Sequence, residues 1–392
     1  MTRPGGPTEV EYVVVGLGAL GSATAWQLAR RGASVVGLEQ FALGHARGAS
    51  HDTSRIIRHS YHTPAYIDLT FAAYDDWADL EAASGQQLVT ITGGVDLFPR
   101  DAAIDIATYT SSMDACAVPY DVLTAAEAIG RWPQFVLPDG TTAVHQARTG
   151  IVPAAVGTAA MQRLAVVAGA ALVDNCGVTG LRDLGDRVEV EAGDRTLRCR
   201  RVIVTADAWT NDVLDPLGVQ LPLTVLQEQV TYVQPADPGS FAPQRFPVWI
   251  WMDDPSFYGF PCFGATTIKS AQDCGGPVVD PRTRSGDVEA DAERRLVDFL
   301  ARLIPSAGTD VVGSKTCLYT LTPDRDFVLG PVPGHEAVLV GLGAAHGMKF
   351  APTLGRLLAA LAAEGRTDLD LSPFDVARPA LTEPVAATSW LV

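Results

Sequence analysis

A glycine-rich turn that follows a buried strand constrains this chain more than any other feature. The strand covers residues 12–15, an apolar helix covers 22–31, and the spacing G-x-G-x-x-G between them is formed by Gly16, Gly18 and Gly21. The first glycine allows a tight turn, the second lets the backbone approach a pyrophosphate, and the third lets helix and strand pack closely. The N–H groups and positive dipole end of the helix N-terminus favour a phosphate there. The sequence therefore predicts a strand–turn–helix unit that binds phosphate.

The next strand favours a whole dinucleotide as the ligand. It covers residues 34–38 and ends on Glu39, where a carboxylate can accept hydrogen bonds from an adenosine ribose. The alternative is a glycine-rich strand-to-helix turn that binds no ligand, and the acid argues against it. We therefore predict that Gly16, Gly18, Gly21 and Glu39 contact a dinucleotide.

Length and charge limit the classes of protein this chain can be. At 392 residues it is too long for one ordinary core, which indicates about two domains. A net charge of −16 disfavours nucleic acid and anionic membranes as partners. No N-terminal apolar run has basic flanks, so we expect no signal peptide. The Ala- and Val-rich stretch 154–173 is interrupted by Gln162 and Arg163, which predicts a packed helix and not a membrane span.

The cysteines indicate reduced thiols. Six of them are scattered without C-x-x-C pairing, at positions 116, 176, 199, 262, 274 and 317. In a chain of this size, such scatter is typical of a cytoplasmic protein and not of a disulfide framework. None of them stands in a zinc-ligand spacing, so we expect no metal.

The lysines are unusually few. Of 29 basic residues only three are lysines, namely Lys269, Lys315 and Lys349. A lysine that persists in an arginine-rich chain can mark a position where a compact, titratable point charge is needed. The alternative is chance survival on the surface. Each lysine is therefore a candidate functional residue.

The remaining patterns predict two interleaved domains. Apolar spacing predicts helices over 67–84, 150–169, 288–304 and 353–363, and strand formers over 223–272 predict an antiparallel sheet. We expect an α/β unit combined with α+β: a Rossmann-like dinucleotide domain with an inserted domain built on a mixed or antiparallel sheet. The expected ranges are 1–91, 149–222 and 318–392 for the dinucleotide domain, and 92–148 and 223–317 for the inserted domain.

Several short motifs together make the chain recognisable. They are Gly16-x-Gly18-x-x-Gly21, Arg55-Ile56-Ile57-Arg58-His59, Ala208-Trp209, Tyr258-Gly259-Phe260-Pro261, Lys269, Cys317-Leu318-Tyr319-Thr320 and Ala345-His346-Gly347-Met348-Lys349-Phe350. With these motifs the chain resembles, over nearly its whole length, the flavin amine oxidases of the monomeric sarcosine oxidase and N-methyltryptophan oxidase family. The resemblance implies that the dinucleotide is FAD, that the inserted domain binds substrate, and that the reaction is amine oxidation by oxygen.

The resemblance assigns residues to the cofactor. Cys317 aligns with the cysteine that the family joins to the flavin 8-methyl carbon through a thioether, a step that needs a thiolate and so an electropositive surrounding. Without the surrounding pattern, a lone cysteine is more often a small buried apolar residue. Arg55 matches an arginine that lies against the flavin. Val178 and Trp209 are expected beside the cofactor.

It also assigns residues to the substrate. Arg58 and Lys349 match a pair that holds the substrate carboxylate, in which a planar fork gives bidentate geometry and a point charge adds attraction. Tyr258 and Tyr319 are expected beside the substrate, and His346 among the catalytic groups. Alternatively, Arg58 is a surface residue, and Tyr258 belongs only to a sheet edge and turn.

Lys269 and Asp273 complete the expected site, and Asp273 differs from the residue that the family carries there. Lys269 matches the family's oxygen-activating lysine, whose charge stabilises superoxide as it forms; otherwise it is an exposed strand residue. Lys315 has no family counterpart, and we interpret it as structural, or as a cation that favours the Cys317 thiolate. Sarcosine-type enzymes carry a histidine at the position of Asp273. This acid could pair with a substrate ammonium, with Lys269 or with a polar group of a larger substrate, or it could point into solvent.

The expected reaction is therefore oxidation of a secondary, cyclic or N-methyl amino acid to an imine, with reduction of oxygen to hydrogen peroxide. The substrate is expected to differ from sarcosine because of Asp273. An alternative is a flavin-dependent dehydrogenase that uses another acceptor, and a third reading is a dinucleotide-binding module without catalysis. Beyond the amino acid and oxygen we expect no partner, and the protein to be a cytoplasmic monomer.

Overall fold

The structure is a computed structural model that describes residues 8–383. Its longer helices begin and end where the sequence supplies caps: the helix Pro64–Ser84 has proline in its first turn and ends at Gly85, whose φ is +66°. The helix Ala125–Arg131 begins with a capping box between Thr124 and Glu127. The helices are α1 Ala19–Ala29, α2 Pro64–Ser84, α3 Ile106–Ala115, α4 Ala125–Arg131, α5 Ala154–Val167, α6 Thr210–Leu214, α7 Ala290–Leu303, α8 Ala351–Glu364 and α9 Pro379–Thr382.

The strands form three sheets. They are β1 Thr8–Val15, β2 Val35–Leu38, β3 Arg55–Ile57, β4 Thr90–Ile91, β5 Gly94–Phe98, β6 Asp121–Thr124, β7 Thr142–Gln146, β8 Gly150–Val152, β9 Ala171–Val173, β10 Val178–Asp183, β11 Val188–Ala192, β12 Arg195–Val204, β13 Thr224–Val233, β14 Val248–Trp251, β15 Phe257–Phe260, β16 Ile268–Gln272, β17 Val311–Leu321, β18 Val328–Val332 and β19 His335–Leu342.

The first sheet contains the predicted dinucleotide unit. Its parallel part runs in the order β9, β2, β1, β12 and β19, with β18 antiparallel on β19 and the β10–β11 hairpin joined to the start of β12. Helix α1 connects β1 to the parallel strand β2 and packs against α5 and α8. Strands buried on both faces read as continuous apolar runs, which is why residues 12–15 were recognisable.

The second sheet has eight strands in the order β17, β13, β16, β15, β14, β5, β7 and β6. All neighbours are antiparallel except β14 and β5, which are parallel, so the sheet is mixed. One face is covered by α7, whose Leu296 and Leu300 pack with Trp249, Phe257 and Ile268. The predicted fold class is confirmed. The third sheet, in the order β3, β8 and β4, is small.

The face opposite α7 carries most of the predicted site residues of this sheet. Directly opposed residues share a face in an antiparallel pair, and side chains alternate along each strand. The register opposes Lys269 to Tyr232, Tyr258 to Ala271, and Cys317 to Glu228. The residues on this one face include Asp96, Ile250, Tyr258, Lys269, Lys315, Cys317 and Tyr319.

Two predicted elements need correction. The helix expected over 150–169 is only α5, because residues 150–152 form β8. The packed helix expected over 154–173 likewise ends at Val167, and a turn leads to β9 at Ala171–Val173, where parallel pairing with β2 overrides helical composition. Within residues 8–383, no helix is both long and apolar enough to cross a membrane.

The division into domains stays a prediction. The expected boundary between residues 317 and 318 falls inside β17, which pairs with β13 on both sides of it. The ends of the expected ranges, 1–7 and 384–392, lie outside the described residues.

Candidate active site

The glycine-rich turn is closed too tightly for any side chain. Gly16 has φ +89°, and a Cβ there would lie 2.6 Å from the Thr205 carbonyl oxygen. A Cβ on Gly21 would lie 1.9 Å from the Gly16 carbonyl oxygen. Both positions therefore require glycine, which brings the N-terminus of α1 against the end of β1.

The turn opens on a long cleft of about 1450 Å³, counted to its mouth. At one end the cleft is lined by Gly16, Gly18 and Glu39, and along its length by Val178 and Trp209. At the far end it reaches Cys317 and Tyr319 of the second sheet and Arg55 of β3 in the small sheet. An extended dinucleotide fits this shape, with its pyrophosphate at the α1 N-terminus.

Glu39 is more constrained than expected from the sequence. One carboxylate oxygen accepts a hydrogen bond from the Leu17 N–H at 2.8 Å and the other from the Phe41 N–H at 3.0 Å. Although burial opposes the charge, hydrogen bonding with His45 and these amides lowers the carboxyl pKa. The charged carboxylate thus braces the turn while it faces the cleft, where a ribose hydroxyl can share its oxygens.

A second cavity adjoins the cleft. The two share Arg55, Tyr319, Ala345 and Met348 in their walls. Ala345 and His346 of the cavity wall come from the loop after β19. In this loop Ala344 and Ala345 have φ +41° and +72°. Non-glycine residues rarely adopt such values, and they cluster at functional sites. The full lining is Arg55, Ile56, Arg58, Ile250, Tyr258, Phe260, Asp273, Tyr319, Arg325, Ala345, His346, Met348 and Lys349.

Arg55 occupies the junction of the two cavities. Its guanidinium donates hydrogen bonds to the carbonyl oxygens of Ala49, His51 and Ser54 at 2.8–3.1 Å. Burial opposes its charge, but the acidic groups of Cys317 and Tyr258 nearby help keep the guanidinium pKa above its usual range. Arg55 therefore presents a fixed positive charge beside Cys317.

Arg58 is buried and paired, not a surface residue. Its Nη1 lies 3.4 Å from both carboxylate oxygens of Asp96 on β5, and Asp96 also accepts a hydrogen bond from the Ser60 hydroxyl. Burial disfavours the charge, but Asp96 keeps the guanidinium pKa raised. Asp96, which the sequence did not single out, thus fixes Arg58 in the cavity wall.

Lys349 is the second buried cation of this cavity. Its ammonium donates to the His346 carbonyl oxygen at 3.2 Å and lies over the rings of Tyr61 and Phe350. No carboxylate of residues 8–383 lies within 4 Å of it. Burial and the charge of Arg58 lower its pKa well below the usual range, and Asp273 only partly opposes them. A bound anion would relieve both effects.

Lys269 lies on the same sheet face, but it lines neither the cleft nor the second cavity. Its ammonium donates to the Ser54 carbonyl oxygen at 2.8 Å and lies 2.7 Å from Asp52 Oδ2. Only 3% of the residue is exposed. Burial and Arg55 lower its pKa to about 7, and Asp52 opposes them. The alternative of an exposed strand lysine is wrong.

Asp273 has a partner that the sequence did not suggest. Its carboxylate is 3.1 Å from Arg325 Nη2, and both residues line the second cavity. It is therefore neither paired with Lys269 nor directed into solvent. Arg325 also contacts the Cys274 sulfur at 2.9 Å. The sequence analysis missed Arg325 because a lone arginine 52 residues away in the chain carries no signal of this contact.

The remaining predicted residues lie around the same space. The hydroxyl groups of Tyr258 and Tyr319 are 3.3 Å apart on the same face of the second sheet. His346 donates from Nε2 to the Arg325 carbonyl oxygen, and its Nδ1 is buried with no hydrogen-bond partner among the residues the structure describes. Burial and Lys349 lower the His346 pKa well below its usual value, so the imidazole is neutral.

Cys317 differs from expectation in its electrostatics. Burial raises the pKa of its thiol, and Arg55 and Lys269 only oppose this effect. The expected electropositive groups are thus present, although the thiol is protonated in the protein alone. Lys315 is not one of its direct partners: its ammonium lies 3.1 Å from Asp52.

Metal sites are not part of this arrangement. Across the described part of the chain, no three His, Cys, Asp or Glu side chains are grouped so that they could hold an ion. All six cysteines are free thiols.

A dinucleotide cleft that meets a buried cationic cavity is typical of an oxidoreductase that uses a dinucleotide cofactor. Comparison with known proteins agrees. The sequence profile of the family described as FAD dependent oxidoreductase matches residues 11–361. The chain belongs to this family, and the predicted FAD is its cofactor. The predicted resemblance to sarcosine oxidases is also confirmed.

Individual relatives cover nearly the whole chain. Monomeric sarcosine oxidase of Streptomyces avermitilis is 32% identical over 94% of this chain and 97% of its own. N-methyl-L-tryptophan oxidase of Escherichia coli O157:H7 is 28% identical over 94% of this chain and 99% of its own. A solved structure of a NikD variant, described as an unusual amino acid oxidase essential for nikkomycin biosynthesis, has TM-score 0.86 at 29% identity, covering 94% and 97% of the two chains.

Proposed function

We propose that this protein oxidises a secondary, cyclic or N-methyl amino acid to an imine and passes the electrons to oxygen, giving hydrogen peroxide. The observation that carries the proposal is the buried pair Arg58 and Lys349 in a cavity that Arg55 and Tyr319 join to the dinucleotide cleft. FAD, when bound, provides the redox chemistry. The chain provides the binding, orientation and charge described below.

Arg58 and Lys349 hold the substrate carboxylate. Asp96 fixes the arginine, so the planar guanidinium is oriented before the substrate arrives. Lys349 has no acidic partner within ion-pair distance among residues 8–383, so a carboxylate supplies the missing charge. The same two cations favour the neutral form of the substrate amine, which is the form that can lose hydride equivalents.

The Asp273–Arg325 pair supports a substrate other than sarcosine. It places a carboxylate and a guanidinium, both able to form hydrogen bonds, in the cavity wall. By the resemblance, sarcosine-type enzymes carry a histidine at the position of Asp273. Ile56, Ile250 and Met348 add apolar surface to the same wall. A ring or a larger side chain with one polar group suits this lining better than a methyl group alone. The name of the relative that acts on N-methyl-L-tryptophan agrees with a larger side chain.

Lys269 serves the oxygen reaction. Its ammonium is buried on the face of the sheet that borders the cleft. A fixed cation in a site of low dielectric stabilises negative charge as it develops on oxygen, without cost of reorganisation.

Peroxide formation tests the reaction. The purified protein is supplied with a panel of cyclic, N-methyl and primary amino acids, and both oxygen uptake and peroxide are measured. We expect one peroxide for each oxygen consumed with at least one secondary amino acid. Flavin reduction without oxygen uptake would instead assign the protein to the dehydrogenases.

Cys317 is proposed as the site of covalent FAD attachment. Its sulfur lies in the wall at the far end of the cleft, beside Arg55 and near Lys269. These cations stabilise the thiolate that attachment needs, once the cofactor fills the site.

Cys317→Ala should release the cofactor. We expect the acid precipitate of the unaltered protein to be yellow and its intact mass to be greater by one FAD, because a thioether survives denaturation. In Cys317→Ala the colour should pass to the supernatant and the mass gain should vanish. Cys199→Ala, which removes a buried thiol from β12, is the matched control and should retain both signs. A yellow precipitate from Cys317→Ala would exclude Cys317 as the link.

The proposed enzyme acts as a cytoplasmic monomer on a small molecule and oxygen. The free thiols agree with a reducing compartment. The name of the S. avermitilis relative agrees with a single subunit.

A further inference from the structure

Asp52 lies between two of the three lysines of the chain. One oxygen, Oδ2, is 2.7 Å from the Lys269 ammonium, and the other, Oδ1, is 3.1 Å from the Lys315 ammonium. The Tyr232 hydroxyl also donates to Oδ1. We call Asp52, Tyr232, Lys269 and Lys315 the Asp52 cluster. Two hydrogen bonds thereby hold Oδ1, and the ion pair with Lys269 holds Oδ2.

The two lysines differ in their access to solvent. The Lys269 side chain is 4% exposed, whereas that of Lys315 is 52% exposed. The side chain between them is 2% exposed. Asp52 has φ +82°, an uncommon value for this residue, and its carbonyl oxygen accepts a hydrogen bond from Ala155. The backbone therefore holds the carboxylate against the sheet face.

Burial and several charges act on the Lys269 ammonium. Arg55, from the small sheet, repels it, and the Cys317 thiol, from β17, favours its charge only when ionised. His51, from the same loop as Asp52, is held neutral by burial, which lowers its pKa to about 4. The ring of Phe260 lies 4.9 Å from the ammonium. Asp52 is thus the nearby carboxylate that opposes burial and Arg55.

We propose that Asp52 is the positioning residue of Lys269: it holds the lysine side chain in place and in its charged form, while Lys315 and Tyr232 hold the carboxylate. The inference rests on the proposed oxygen role of Lys269. It also assigns Lys315 a role, holding the Asp52 carboxylate, that the resemblance did not supply. Asp52 lines neither cavity. Its Oδ2 also lies 3.8 Å from Arg55 Nη1, a longer contact than the 2.7 Å to the Lys269 ammonium.

The sign of the effect follows from the charges. A lysine with a pKa of about 7 is charged below that pH and loses its charge as the pH rises through it. Asp52→Asn keeps the shape of the side chain but removes the negative charge. Loss of a paired charge at this distance lowers a lysine pKa by about 1 to 3 units. The variant should therefore lose the ammonium at a correspondingly lower pH.

Lysine-selective NMR measures this directly. The FAD-loaded, full-length protein is produced with labelled lysine. The side-chain signals of its three lysines are followed as the pH is raised from about 5 to about 10. We expect the Lys269 midpoint to fall by at least about one unit in Asp52→Asn. Asp76→Asn, which breaks the ion pair with Arg356 between α2 and α8, is the matched control and should leave it unchanged. An unchanged or higher midpoint in Asp52→Asn would overturn the proposal.

Two further variants keep the test decisive if Asp52→Asn folds poorly. Asp52→Glu keeps the charge and should keep the midpoint within about one unit of the original. Lys315→Met removes a cation from the cluster, so the Lys269 midpoint should stay or rise, and a fall would contradict the proposal. Because NMR reports the lysine without turnover, a shifted midpoint with no change in the oxygen reaction would sink only the oxygen role. An unshifted midpoint would sink only the role of Asp52.

Discussion

Lys269→Met should slow the reaction of the reduced enzyme with oxygen by about 10²- to 10³-fold, the usual effect of removing one preorganised charge from a site where charge develops. Reduction of the enzyme by substrate should change by less than about tenfold, since Lys269 is not among the residues that line the proposed substrate cavity. Methionine is close in length and apolar, so the buried position should remain filled. Stopped-flow absorbance, with the two half-reactions measured separately, gives both rates.

Arg295→Met is the matched control for this experiment. Arg295 lies on α7 and contacts Gln272, on the opposite face of the sheet from Lys269. This variant loses the same unit of charge as Lys269→Met, but on the far face of the sheet. The rates of flavin reduction and of the oxygen reaction should therefore remain unchanged. Equal slowing of both half-reactions in Lys269→Met would contradict the oxygen role and point to a general disturbance of the site.

Lys349→Met should lower kcat/KM for the amino acid substrate by about two to three orders of magnitude. The change removes one charged partner of a buried carboxylate, which costs about 3–4 kcal/mol at 1.4 kcal/mol per factor of ten. The free protein should be no less stable, because a buried ammonium without an acidic partner within ion-pair distance is replaced by an apolar side chain. Steady-state kinetics and a thermal melt measure the two effects.

A substrate analogue provides the control. The amine that corresponds to the best substrate, but lacks its carboxylate, should react slowly and equally with the original enzyme and with Lys349→Met. If the variant lost activity equally toward both compounds, Lys349 would act on the reaction itself and not on the carboxylate.

The first sheet could be predicted from sequence because its signals are local. Gly21 is required by the nearby Gly16 carbonyl oxygen, and Gly16 by Thr205, which directly follows β12. The second sheet was recognisable from strand formers, but its order was not, since β5 pairs with β14, more than 150 residues later. Period-two alternation then explains why Tyr258, Lys269, Cys317 and Tyr319 share one face.

The supporting residues could not be predicted. Asp96 for Arg58, Arg325 for Asp273, and Asp52 for Lys269 come from distant parts of the chain and belong to no short motif. A buried charge requires a partner, but the sequence does not say which acid becomes its neighbour. Asp52 lies only three residues before Arg55, which is the one local hint that this loop reaches the site.

The most direct test of the account is anaerobic mixing of the purified yellow protein with secondary amino acids, followed by admission of oxygen. We predict that the flavin absorbance is lost rapidly with at least one cyclic or N-methyl amino acid, is lost much more slowly with the matching amine that lacks a carboxylate, and returns when oxygen is added. Persistence of the absorbance with every amino acid tested, or equal loss with the amine, would contradict the proposed function.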